Sequence, residues 1–172
     1  ILLIIGYWGM KNYLQYTFSL NDKPFVSEII FDLYNSNDNS FTNKNTEGKT
    51  TVIYFHTKSC SVCYKKLPEL ESLYQAFKSD TTVAIIAAFL PYSTYEDSSF
   101  IFEFYREHNY NYPQYMAWEP ANIYEERFNI DAYPHLTIIG KDGNIIHNGS
   151  FNNDPLIFVD NAESLVLSDR QD

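Results

Sequence analysis

The stretch FHTKSCSVCYKKLPEL, residues 55 to 70, holds both cysteines of the 172-residue chain, Cys60 and Cys63, with two residues between them. Such a pair is a redox centre, half of a metal site, or a coincidence, and its flanks decide which. Upstream, TVIYFHT (51–57) is a continuous β-branched and aromatic run of strand length, the pattern of a strand covered on both faces. Downstream, Leu67, Leu70, Leu73, Tyr74 and Phe77 recur at three- and four-residue spacing, which predicts an amphipathic helix over YKKLPELESLYQAFK. Pro68 has no N–H to donate and is expected to kink that helix in its first half. The cysteines therefore sit where a buried strand hands over to a helix.

That position suits thiol chemistry. Unpaired N–H groups and the positive end of the helix dipole favour a thiolate at a helix N-terminus, which makes Cys60 the expected nucleophile. Cys63, one turn further on and facing the sheet, is the expected resolving thiol, able to attack a mixed disulfide formed at Cys60. A bridge between them closes a very short loop and constrains the unfolded chain little, so it suits cycling better than holding a fold together.

The rest of the chain extends an alternating pattern. IIFDLYNSNDNSFTNKNTEGKTT (29–51) reads as strand, turn and loop, and TTVAIIAAFL (81–90) as a second buried strand. Ser93 and Glu96 form a capping-box pattern before a helix that ends near Glu107, and a short helix is expected over Ala121 to Phe128. AYPHLTIIGKDGNIIHNG (132–149) reads as a β-hairpin around an Asp-Gly turn, and Asp154-Pro155 opens a last helix toward Leu167. The expected order is β-α-β-α-α-β-β-α after a small β element, an α/β fold with a mixed central sheet flanked by helices. No internal repeat is apparent.

Length and composition set bounds. The chain can bury a self-sufficient core, with 13 Phe and 15 Tyr expected mainly as core filling. A net charge of −10 argues against nucleic acid, whose affinity is supplied largely by clustered Lys and Arg. ILLIIGYWGM (1–10) is too short to span a bilayer, which takes about 20 residues in a helix. It is read as the remnant of a membrane anchor or as an apolar segment packed on the domain, leaving residues 11–172 as one domain, expected to be monomeric.

The strand TVIYF, the motif CSVC, Pro68 five residues after Cys63, and the later AYPHLTII with Tyr133-Pro134 together resemble the thioredoxin superfamily. Within it the chain is similar to the TlpA/ResA-like membrane-anchored thiol-disulfide oxidoreductases. FDLYNSNDNSFTNKNTEGK resembles their N-terminal hairpin, and AAFLPYSTYEDSSFIFEFYREH to ERFNI their added strand-helix segment. The resemblance implies a thioredoxin-like fold and a cis bond before Pro134 that brings its loop against the cysteines. It also implies a Tyr133 backbone that pairs with an extended substrate like an added strand. It implies a protein-disulfide reductase in the periplasm or cell envelope. Such a protein has no cofactor beyond the Cys60–Cys63 couple, takes electrons from an upstream thiol donor, and acts on exported proteins, with apocytochromes, other envelope proteins and peptides all open as substrates.

Three positions depart from the family pattern. Ser59 stands where Trp usually precedes the first cysteine, Lys66 where TlpA-like proteins often carry an acid, and Tyr54 where thioredoxin has a buried Asp. Lys58, Lys65 and Lys66 are expected as solvated charges, or else as modulators that stabilise the thiolate. His135 is a candidate proton donor to Cys60 or a packed strand residue, and His56 carries the same choice.

Other readings of the pair are weaker. A zinc site needs four ligands, and His56, His108, His135 and His147 show no H-x3-5-H spacing. A peroxiredoxin would carry proline at the position of Ile53. The rival from another class is a thioredoxin-fold adaptor whose disulfide does not cycle.

Overall fold

The computed structural model describes residues 29–93, 98–150 and 155–169. The segment 1–10, Glu96 of the capping-box pattern and Asp154 of the last helix cap lie outside the described residues.

A hairpin of β1 (Asp32–Tyr34) and β2 (Ser40–Thr42) comes first, followed by a 3-10 turn over Asn43–Thr46. Then come β3 (Thr50–His56), α1 (Ser61–Phe77), β4 (Val83–Phe89) and α2 (Ser98–Glu107). The chain continues through β5 (Gln114–Ala117), α3 (Ala121–Phe128), β6 (His135–Ile139), β7 (Ile145–Gly149) and α4 (Pro155–Asp169). Among the described residues the seven strands form one mixed sheet in the order β2-β1-β5-β4-β3-β6-β7. β3 runs parallel to β4 and antiparallel to β6, so it is an interior strand, next to the middle one. All seven of its residues are buried, as expected of a strand read as continuously apolar.

The strand's two-residue period divides the core. Val52 and Tyr54 point to the face carrying Leu67, Leu70, Leu73, Tyr105, Ala162 and Val166, which belong to α1, α2 and α4. Ile53 and Phe55 point to the opposite face, where Tyr124 and Phe128 of α3 meet Phe31 and Phe41 from the N-terminal segment. Most described Phe and Tyr residues serve these two cores, because aromatic rings remove large apolar areas from water at low entropic cost.

The structure corrects two expectations about the elements. β5 is a strand missing from the sequence-based order. Its four residues are too few to show a period, and its pairing comes from neighbours distant in sequence, β4 on one side and β1 on the other. Through β5 the N-terminal hairpin becomes part of the main sheet. The first helix begins at Ser61, upstream of the expected stretch, and runs through Pro68 to Phe77 as one element. The β6–β7 hairpin turns through Gly143, whose φ of +85° is a conformation glycine adopts without steric cost. α3 stops at Asn129, which takes the left-handed conformation at φ 51° while the Ile130 N–H returns to the Glu125 carbonyl.

Candidate functional site

β3 ends at His56, and a tight turn closed by the Cys60 N–H on the Thr57 carbonyl brings the chain to the head of α1. Cys60 is the N-cap of that helix, and its Sγ accepts from the Cys63 N–H at 3.1 Å. One free N–H of the first turn is thus spent on the sulfur, where the helix dipole also favours negative charge. The two cysteines form a disulfide. They are unequal: Cys60 is half-buried, whereas Cys63 is fully buried against Leu67 and Leu136 in the core.

The Pro134 loop reaches the same end of the sheet by register. Phe55 of β3 pairs with His135 of β6, so the residues before His135 lie beyond the end of β3, where the chain turns toward Cys60. The Tyr133–Pro134 peptide bond is cis. Tyr133 is half-buried between the two cores, and its hydroxyl donates to Glu125 Oε1 at 2.9 Å. Burial, then this carboxylate, pushes the phenol well above its ordinary range.

Beneath the disulfide lies a polar layer that sequence reasoning did not find. Tyr54, which stands in place of the family's Asp, donates its hydroxyl to the Cys63 carbonyl at 2.8 Å. Burial, reinforced by the Glu69 and Tyr110 charges, raises this phenol far above its ordinary value, so it stays protonated. His56 is fully buried at the end of β3, hydrogen-bonded through Nε2 to the Tyr105 hydroxyl and packed edge-on to Phe89. Desolvation lowers its pKa to about 3, which keeps the ring neutral at ordinary pH.

One candidate modulator departs from its sequence-based reading, and another takes the second of its two readings. Lys66 is not a solvated charge. Its side chain is 7% exposed and its ammonium meets Glu69 at 3.2 Å, one turn along the same buried face of α1. A buried ammonium without a carboxylate would be costly, and the spacing of three residues supplies one. His135 is a packed strand residue, the second of its two readings. Alternation along β6 places Leu136 and Ile138 on the cysteine face, so His135 faces α3, where its Nε2 meets Asn148 Oδ1 at 3.0 Å. Asn148 also accepts from the Thr137 hydroxyl at 2.7 Å and donates to the Phe128 carbonyl at 2.7 Å, tying the hairpin to α3. Lys58 is exposed, with its ammonium 5.0 Å from the centre of the Phe100 ring. Among the described residues no three His, Cys, Asp or Glu side chains gather as metal ligands.

The sequence matches the family model described as thioredoxin-like over residues 48–145, more than half of the chain. The chain belongs to the thioredoxin-like family. No curated protein matches the sequence. Solved structures with the same thioredoxin-like fold include StoA from Bacillus subtilis, 18% identical over 76% of this chain and 94% of that one, at a TM-score of 0.59. The thioredoxin domain of a thiol-disulfide oxidoreductase from Bacteroides vulgatus is 21% identical over 80% of this chain and 93% of its own, at 0.65. The exposed lipoprotein thioredoxin Etrx1 from Streptococcus pneumoniae is 18% identical over 78% of this chain and 98% of its own, at 0.60. The sequence-based expectations of a thioredoxin-like fold and of an N-terminal strand pair ahead of its core hold in this structure. As a thioredoxin-like domain, it carries its C-x-x-C disulfide at the head of the helix that follows the central strand.

Proposed function

We propose that this chain is a protein thiol-disulfide oxidoreductase that reduces disulfides of exported proteins. The observation that carries the reading is the asymmetry of the pair: a half-buried Cys60 at a helix N-terminus, bridged to a fully buried Cys63. An accessible sulfur in an electropositive setting suits attack on a partner, and a shielded neighbour suits intramolecular closure.

In the reduced form the Cys60 thiolate attacks one sulfur of a substrate disulfide. A Cys60–substrate bond forms, and the other substrate sulfur leaves with the electron pair and takes up a proton. The Cys63 thiol loses its proton and attacks the Cys60 sulfur. The Cys60–Cys63 bridge closes and the second substrate thiol departs, so the substrate gains two electrons and the enzyme is oxidised by two. A second dithiol, the upstream donor, returns the electrons by the same exchange in reverse. The Tyr133 backbone pairs with an extended substrate segment beside Pro134.

The resemblance to the TlpA/ResA-like branch favours reduction over oxidation. A location outside the cytoplasm accords with the similarity to Etrx1, an exposed lipoprotein thioredoxin. Under this reading residues 1–10 are the end of a segment that tethers a single domain, 11–172, to the membrane.

An insulin-type disulfide reduction assay, run beside a Cys60→Ser variant, tests the proposal. Turnover that disappears in the variant is expected. Thiol-independent or absent turnover would leave a thioredoxin-fold adaptor instead. The equilibrium of the Cys60–Cys63 couple with dithiothreitol tests the direction, with a strongly oxidising couple pointing to disulfide donation.

A further inference from the structure

Six large apolar side chains are exposed among the described residues, and three of them lie on the elements bordering the disulfide. Val62, 47% exposed, stands between the cysteines; Phe100, 42% exposed, sits under the Lys58 ammonium. Tyr92, 56% exposed, comes from the loop after β4, and its hydroxyl is held at 3.2 Å from both Thr57 Oγ1 and Ser59 Oγ. Those two hydroxyls belong to the turn leading into Cys60. The backbone around Tyr92 is held as well: the Leu90 N–H donates to the His56 carbonyl at 2.8 Å, and the Ala121 N–H donates to the Pro91 carbonyl at 2.6 Å.

The hydroxyl is held by the turn while more than half of the residue's surface is left in water, at a hydration cost that contact with an apolar partner would recover. Ser59, beside Cys60, is too small to supply such a surface itself, so the ring arrives from a residue 33 positions later in the chain. Small polar thiols would cover little of this area, whereas a polypeptide passing Cys60 would place a neighbouring side chain on it.

We infer that Tyr92 is a specificity-determining contact of the Cys60 site. It takes a large apolar side chain adjacent to the cysteine of an extended protein substrate. This rests on the oxidoreductase reading above.

The test uses the full chain with Cys63→Ser, leaving Cys60 as the only thiol. It is reacted with two short peptides whose cysteine is activated as the thionitrobenzoate disulfide, one with Leu beside the cysteine and one with Gly. Cys60 attacks the peptide sulfur, the Cys60–peptide bond forms, and thionitrobenzoate leaves with the electron pair and is read by absorbance. The ratio of the two rates within one variant cancels changes in the reactivity of the thiol itself. A Leu preference of about tenfold is expected, the discrimination that covering one large apolar side chain supports. Tyr92→Ala should bring the ratio near unity, and Tyr92→Glu should turn it toward a third peptide with Lys beside the cysteine. An unchanged Leu preference in both variants overturns the inference and leaves the oxidoreductase reading intact. A Cys60 inert even to Ellman's reagent overturns the oxidoreductase reading, and the inference with it.

Discussion

The Tyr54 hydroxyl donates to the Cys63 carbonyl at 2.8 Å, so the interior strand β3 holds the first turn of the helix that carries the disulfide. Tyr54→Phe removes that bond and keeps the ring. The Cys63 carbonyl retains its helical partner, so the cost should be that of one net hydrogen bond, about 0.5–1.5 kcal/mol. Urea unfolding of the oxidised protein measures it, and a loss of stability at or below zero would show that the bond contributes nothing.

The two sulfurs should differ sharply once separated. With Cys63→Ser, Cys60 should titrate below the ordinary thiol value of about 8.5, because the helix N-terminus favours its thiolate. With Cys60→Ser, buried Cys63 should react with Ellman's reagent at least about tenfold more slowly, since burial disfavours the thiolate and blocks access. Thiolate absorbance against pH and reagent kinetics report the two quantities, and equal reactivity would contradict the assignment of roles.

Neutral His56 makes the protein sensitive to acid. Its pKa is about 3 in the folded protein against 6.5 ordinarily, so below pH 6.5 the unfolded chain binds a proton that the folded one refuses. The stability this group supplies is complete above pH 6.5 and declines as the pH falls toward 3, by up to about 1.4 kcal/mol per pH unit. Burial lowers His135 and His147 as well, adding slope of the same sign. Denaturation midpoints from pH 7 to pH 4 should therefore fall steeply, and a His56→Gln variant should show a slope smaller by about one proton.

Lys66 and Glu69 should behave as a unit. Glu69→Gln leaves a nearly buried ammonium without its carboxylate and should cost about 2 kcal/mol; Lys66→Met, which replaces the charge with an apolar chain, should cost less. In the double variant the two effects should fall well short of additive. A strictly additive cycle would mean that the pair is screened by solvent.

The central elements were legible in the sequence because their signals are local. β3 shows as an unbroken β-branched and aromatic run, α1 as a three-and-four spacing of Leu67, Leu70, Leu73 and Phe77, and the last hairpin as Asp142-Gly143 between two apolar runs. β5 was not legible, since four residues whose partners lie in β4 and β1 carry no period of their own. Lys66 misled for the opposite reason. A lysine next to the first turn of a helix is normally solvated, and only its position over the sheet, with Glu69 three residues on, buries it.

By itself the chain determined the chemistry available: two cysteines one helical turn apart, a strand before them, a helix after them and a proline far downstream. Those follow from residue type and short-range spacing, which hydrogen bonding and apolar period translate directly into local structure. Folding alone decided what surrounds the sulfurs. Whether His135 faces the disulfide or α3 is a matter of strand register, and whether Tyr54 and Tyr92 lie near the cysteines and their turn depends on contacts made across 9 and 33 positions of chain. Such contacts are set by which faces pack together, and no stretch of sequence contains that information on its own.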